Sequence, residues 1–157
     1  MKIIYRRGDL LSAPERYIAH GCNAHGRMRT GIAKTIREKY PAAFECYYRT
    51  YLHFGLSLGQ VIPVDCVRHT VINCVTQKDS TTDRGFGEVY LDYDGLSVCM
   101  VAIEKFLNSP VPVPVAFPKI GAGEAGGDWS RIATILERSS VIQPIVYIYT
   151  QRDSPHD

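Results

Sequence analysis

Two strand-to-helix junctions carry the residue types from which a phosphate site can be built. The first, Asn23–Gly31, follows the apolar run Tyr17–Cys22, and the second, Ile120–Asp128, follows Val111–Phe117. Glycines in each let the backbone approach a ligand closely. Each junction also leads into a predicted helix, whose free N–H groups and positive dipole end favour phosphate oxygens. Side by side, two such loops grip a diphosphate from both faces. Neither is a G-x-x-x-x-G-K-[ST] loop, and neither is a G-x-G-x-x-G turn with an acidic partner following. Backbone geometry alone explains a glycine at such a turn equally well, so spacing by itself leaves both readings open. The five histidines (His20, His25, His53, His69, His156) have no H-E-x-x-H or comparable spacing, and the five cysteines contain no C-x-x-C pair. No metal and no cofactor are therefore expected.

These loops need a scaffold, and the hydrophobic patterning supplies one. Lys2–Tyr5 reads as a short strand ended by Gly8-Asp9, and Tyr17–Cys22 as a second. A helix is predicted over Ile32–Lys39, with Thr30 or Gly31 as its cap, and another from Pro41 to about Phe54. Leu58–Val64 and His69–Val75 read as strands joined by a polar turn, followed by a polar stretch, Gln77–Glu88. A long helix over Leu91–Leu107, a strand over Val111–Phe117 starting at Val113 or Pro114, a helix over Trp129–Ser139 and a strand over Ile145–Tyr149 complete the pattern. The strand runs are apolar throughout, which implies a sheet covered by helices on both faces. The fold class is α/β, one three-layer α/β/α domain over residues 1–150, with 151–157 as a short C-terminal tail.

Composition narrows the setting. The 157 residues are 45% hydrophobic and 22% charged, and the formal net charge of +2 is too small to imply a nucleic-acid surface. An odd number of widely spaced cysteines argues against a disulfide framework, and Cys22, Cys74 and Cys99 lie in apolar runs where a thiol behaves as a small hydrophobe. The opening M-K-I-I-Y-R-R-G-D brings charges too early for a signal peptide, and no apolar run approaches the roughly 20 residues a membrane span needs. The expectation is a cytoplasmic monomer with no membrane partner.

Read in order, Gly8-Asp9-Leu10, His20-Gly21-Cys22-Asn23, Gly31-Ile32-Ala33-Lys34, Pro118-Lys119-Ile120-Gly121-Ala122-Gly123 and Gly126-Gly127-Asp128-Trp129 resemble the macro domain family. The likeness is to its branch of ADP-ribose 1″-phosphate phosphatases and terminal ADP-ribose glycohydrolases, and it spans nearly the whole chain. It implies a central mixed, mostly parallel sheet and a cleft for ADP-ribose. Asp9, with Leu10 beside it, matches the acidic residue that accepts the adenine amino group; a turn role after Gly8 is the alternative. Asn23 matches the contact to the distal ribose, against an Asx-turn role. Gly31 and Ile32 match the first phosphate loop, and Ile120, Gly121, Ala122 and Gly123 the second. Arg29 and Thr30 stand where many relatives have Gly or Ala. Arg29 either meets a phosphate, swings into solvent or narrows the cleft.

Catalytic equipment differs among macro-domain hydrolases. The lysine of one mechanism aligns with Gln77, leaving Lys78 one residue away, and the matching aspartate position falls on Ala125. Phosphatase-like members have a histidine at the position of His20, where an imidazole acts as general acid or base; His25, in the loop, is the other candidate. Asp79 and Asp83 flank the expected cleft. The resemblance implies a hydrolase acting on ADP-ribose 1″-phosphate, or removing ADP-ribose from a protein or nucleic acid. The alternatives are a non-catalytic ADP-ribose reader, or a nucleic-acid module using Arg6, Arg7, Arg27 and Arg29.

Overall fold

The computed structural model describes residues 1–79, 89–123 and 125–149. Asp83, Glu124 and the expected tail 151–157 lie outside them. The elements in chain order are β1 (Ile4–Arg7), a 3-10 turn (Leu10–Ser12), β2 (Tyr17–Asn23), α1 (Gly31–Lys39), α2 (Pro41–Phe54), β3 (Val61–Asp65), β4 (Thr70–Gln77), α3 (Tyr93–Leu107), β5 (Val113–Phe117), α4 (Trp129–Leu136) and β6 (Ile142–Ile148). The sheet runs β1-β6-β5-β2-β4-β3, with every pair parallel except β3 with β4. It is thus mixed and mostly parallel, as the resemblance implies.

Period-two alternation along the central strands builds two opposed cores. Ala19, Ile72, Cys74, Val115, Phe117 and Val146 point to the face covered by α3 and α4, where Leu96, Cys99, Ile103, Ile132 and Leu136 meet them. Ile18, Val71, Ala116 and Ile145 point to the other face, against Ile36 of α1 and Ala43 of α2. Cys22, Val75 and Tyr47 extend that second core beneath α2. Three layers result.

Several boundaries move, each for a local reason. The last strand begins at Ile142, ahead of Pro144, and not at Ile145. Its proline is tolerated because β1 starts pairing only at Ile145, so that edge of β6 is open at Pro144. Pro114 likewise precedes the first β5–β2 pair, Tyr17↔Val115, and Pro63 lies in the edge strand β3. The long helix starts at Tyr93, not Leu91, because the Asp92 carboxylate accepts the Gly95 amide at 2.7 Å. The helix at Trp129 ends at Leu136, and the Ser139 hydroxyl then accepts the Val141 and Ile142 amides to turn the chain into β6.

The cap at Asp92 fixes where α3 begins. Asp92→Ala is expected to lower stability by about 1 kcal/mol in urea unfolding. Asp94→Ala, two residues further on and exposed, is expected to stay within about 0.5 kcal/mol of the wild type.

Candidate functional site

Chain connections leave the sheet's middle in opposite directions: β5 proceeds through α4 to β6, whereas β2 proceeds through α1 and α2 toward β3 and β4. Ligand crevices form at such a reversal, beyond the carboxyl ends of the strands. Here the two strands pair only through Tyr17↔Val115 and Ile18↔Ala116 and then part, while β2 stays paired with β4 to Asn23↔Gln77. The gap widens into a cleft of about 610 Å³. Every residue expected to touch ligand lies along it: Asp9, Leu10, Asn23, Arg29, Thr30, Gly31, Ile32, Ile120, Gly121, Ala122 and Gly123.

The first wall is the start of α1. Thr30 is its N-cap residue, but its side chain makes no cap hydrogen bond. Lys34 N, bonding Thr30 O at 3.3 Å, is the first helical amide with a partner. The amides of Gly31, Ile32 and Ala33, all at the cleft, therefore have no acceptor among the described residues. The contrast with the other elements is instructive. Asp9, Asp92 and Asp128 each cap a helical turn with a carboxylate, accepting from Leu11, Gly95 and Ser130 respectively. Only the helix that faces the cleft from this side begins at a residue able to cap but not doing so.

The second wall is the turn Pro118–Gly123. Ile120 N bonds Pro118 O at 2.7 Å, Ala122 N bonds Lys119 O at 3.1 Å, and Gly127 N bonds Gly121 O at 2.7 Å. These bonds leave the Gly121 and Gly123 amides without acceptors among the described residues. Glycine is required twice here. Gly121 has φ +76°, and a Cβ would meet Leu91 at 2.8 Å; a Cβ on Gly127 would lie 2.7 Å from the Gly121 carbonyl oxygen. Two sets of open amides thus face one cleft, with Arg27, Arg29 and Lys119 among its side chains and Asp9 the only acid lining it among the described residues. That balance suits an anion.

The ends of the cleft differ. Beside β1, exposed Asp9 accepts the Leu11 amide at 3.0 Å through Oδ1 and the Ser12 hydroxyl at 3.3 Å through Oδ2. The expected turn role is real, yet each oxygen keeps a further lone pair for a ligand. Tyr147 and Tyr149 line the same end, the latter 72% exposed. In sequence both belong only to an apolar strand; register brings them to the cleft, since Arg7↔Ile148 sets Tyr149 next to Gly8. Gly21, Cys22, Thr76, Gln77, Pro118, Lys119 and Ala125 also line the cleft and were not singled out as contacts.

At the opposite end, Asn23 is committed inward. Its Oδ1 accepts the His25 amide at 2.9 Å and the Arg27 amide at 3.3 Å and lies 2.9 Å from the Tyr47 hydroxyl, while Nδ2 donates to Arg27 O at 2.8 Å. One N–H remains for a ligand. Burial pushes the Tyr47 phenol up, so it stays a neutral donor.

The candidate catalytic groups separate. His20 is removed from that role by its surroundings: it is 0% exposed, faces the α1–α2 side of the sheet, and does not line the cleft. Its Nε2 lies 2.6 Å from Asn73 Oδ1, and Asn73 donates to the Ala43 and Ile62 carbonyls, so the imidazole joins β2 to β4 and α2. Burial lowers its pKa from 6.5 to about 4, against a smaller raising effect of the Asn73 bond. Lys78 is exposed and off the cleft lining; its carbonyl accepts the Ala24 amide. His25 is held by Asp79, Nε2 to Oδ1 at 3.1 Å, also beyond the lining residues. Trp129 packs in the core, its indole N–H donating to the Tyr5 hydroxyl at 3.0 Å. Arg6 and Arg7 lie on edge strand β1, three strand positions from the β2 loop that carries Arg27 and Arg29, so the four do not make one basic stripe.

Known proteins resemble this chain over most of its length. The family model described as Macro domain matches residues 19–136. The chain is 26% identical over 154 residues to a DNA ADP-ribosyl glycohydrolase of Mycobacterium tuberculosis, covering 92% of this chain and spanning 42% of that relative's length. A 47-residue stretch, 29% of this chain and 24% of the other, is 47% identical to an ADP-ribose 1″-phosphate phosphatase of Aspergillus fumigatus. Among solved structures, the macrodomain of Mycobacterium tuberculosis DarG superposes with a TM-score of 0.75 at 22% identity, over 94% of this chain and 98% of that one.

The burial of His20 has a measurable consequence. Below pH 6.5 the unfolded chain binds a proton that the folded chain refuses until about pH 4. Stability is thus fully present above pH 6.5 and falls as the pH drops toward 4, by about 3 kcal/mol from this group. Urea unfolding at pH 7 and pH 4.5 is expected to give a smaller loss for His20→Gln than for the wild type. Parallel losses would show that His20 is not held neutral.

Proposed function

This chain belongs to the macro domain family, and from that premise we propose that its cleft binds ADP-ribose and that the protein hydrolyses the bond between the distal ribose and a phosphate or macromolecule. One observation carries the reading: two sets of backbone amides with no acceptor among the described residues, Gly31–Ala33 and Gly121 with Gly123, line the two walls of one cleft. A diphosphate brings acceptor oxygens to both sets at once, and the α1 dipole adds to its stabilisation.

The rest of the ligand follows from strand order. Passing from β1 to β4 crosses four strand spacings, roughly 19 Å at about 4.8 Å each, which is the length scale of a diphosphate joining two ribosyl groups. Adenine at the β1–β6 end meets the Asp9 carboxylate through its amino group and the exposed ring of Tyr149. The diphosphate spans the mouth between β5 and β2. The distal ribose then reaches the β2–β4 end, at Asn23, Thr76 and Gln77. The names of the mycobacterial and fungal relatives support hydrolysis there. A specific observation favours the second reading, a non-catalytic ADP-ribose reader: none of His20, His25 and Lys78 lines the cleft itself. Turnover of ADP-ribose 1″-phosphate or of an ADP-ribosylated oligonucleotide decides between the two.

Calorimetric titration with ADP-ribose, beside AMP, tests the binding. Asp9→Ala is expected to weaken ADP-ribose binding about 10-fold or more through loss of a charge-assisted bond. Thr30→Asp is expected to act with opposite signs: its carboxylate caps α1, raising stability by about 0.5–1 kcal/mol, yet weakens ADP-ribose at least about 10-fold by occupying the amides and repelling the diphosphate. Unchanged affinity in Thr30→Asp would remove the α1 amides from the site.

A further inference from the structure

The distal end of the cleft has a titratable pair at its rim that the binding account does not use. His25 Nε2 lies 3.1 Å from Asp79 Oδ1, with the imidazole 40% exposed and the carboxylate 22% exposed. Both are anchored to residues that line the cleft. The His25 amide donates to Asn23 Oδ1 at 2.9 Å, and Gln77 Nε2 donates to the Asp79 carbonyl at 2.8 Å. The Ala24 amide, between Asn23 and His25, bonds the carbonyl of Lys78, between Gln77 and Asp79. The loops after β2 and β4 are therefore clamped together just where paired strands Asn23↔Gln77 end.

A carboxylate oxygen accepts, so the nitrogen facing Asp79, Nε2, is the donor of the pair, and Nδ1 is the ring nitrogen the pair leaves for exchange with a ligand. This is the arrangement of a general base held by an orienting acid. Among the described residues, the polar side chains lining the cleft at that end, Asn23, Thr76, Gln77, Arg27 and Arg29, are amides, a hydroxyl and permanently charged guanidinia, none of which moves a proton readily near neutrality.

We propose that His25 is the proton-transfer group for hydrolysis at C1″ of the distal ribose and that Asp79 is its positioning residue. The proposal rests on the ADP-ribose reading of the cleft. Nδ1 takes a proton from a water molecule as its oxygen bonds to C1″. The bond from C1″ to its substituent breaks with its electron pair going to the substituent, which then takes the proton from the imidazolium. The products are ADP-ribose and the released phosphate or macromolecule, with His25 neutral again.

The test compares wild type, His25→Ala, Asp79→Asn and Asp79→Glu. It measures affinity for ADP-ribose by calorimetry, and kcat and KM with ADP-ribose 1″-phosphate and with an ADP-ribosylated single-stranded oligonucleotide. Imidazole ¹⁵N spectra report the His25 tautomer. His25→Ala is expected to lower kcat at least about 100-fold while ADP-ribose affinity stays within about 3-fold. Asp79→Asn lowers kcat about 10-fold or more at unchanged KM and mixes the tautomers, and Asp79→Glu restores part of both. Turnover by His25→Ala within about 3-fold of wild type overturns the assignment and leaves the cleft reading standing. A wild type that binds ADP-ribose but turns over neither substrate overturns it too, and leaves a reader. A wild type that does not bind ADP-ribose defeats the cleft reading and the assignment together.

Discussion

An amide at a helix start needs an acceptor, and most of this chain obeys that requirement with its own side chains. Carboxylates at Asp9, Asp92 and Asp128 serve the 3-10 turn, α3 and α4, and α2 begins with Pro41, which has no N–H to satisfy. Helix α1 is the departure, and the neighbouring structure holds it in that state. The loop before it is fixed by Asn23, whose Oδ1 and one N–H engage His25, Arg27 and Tyr47, so its path toward Thr30 is set by these bonds. Across the cleft, Gly127 packs against the Gly121 carbonyl and Leu91 against both glycines, fixing the other open amides. The unmet demand for acceptors is what makes the cleft a site for an oxyanion and not merely a gap between strands.

Much of this was legible in the sequence, for reasons that can be assigned. All the expected helices and strands exist, because their apolar runs are long and the sheet is buried on both faces. What the sequence concealed were features set by pairing. Pro144 reads as a strand breaker, but it lies where one edge of β6 is open, and only register reveals this. Asp92 reads as a polar residue in the first turn of a helix begun at Leu91 until its bond to Gly95 makes it the cap. The two loops were found because glycine density after a strand is a local property. Tyr149 was not, because its place at the cleft comes from a neighbour more than a hundred residues away in the chain.

His20 illustrates the same limit in the other direction. A histidine two residues before Cys22-Asn23 invites a catalytic reading, yet in β2 alternation sends Ile18, His20 and Cys22 to the face away from α3 and α4. Asn73, its register partner on β4, then completes a buried polar link to α2. A satisfied buried network of this kind stabilises one arrangement of strand and helix. His25 occupies a loop beyond the strand end, where alternation no longer applies, and its imidazole meets Asp79 from the loop after β4. Position relative to the end of the strand separates the two imidazoles, and residue type does not.

The central claim, that amides from both walls meet the diphosphate, is tested most directly by titrating ¹⁵N-labelled protein with ADP-ribose and following the amide resonances. The account predicts downfield proton shifts at Gly31, Ile32, Ala33, Gly121 and Gly123 together, at one common affinity. Shifts confined to one wall, or an ADP-ribose complex that leaves all five unmoved, would contradict it.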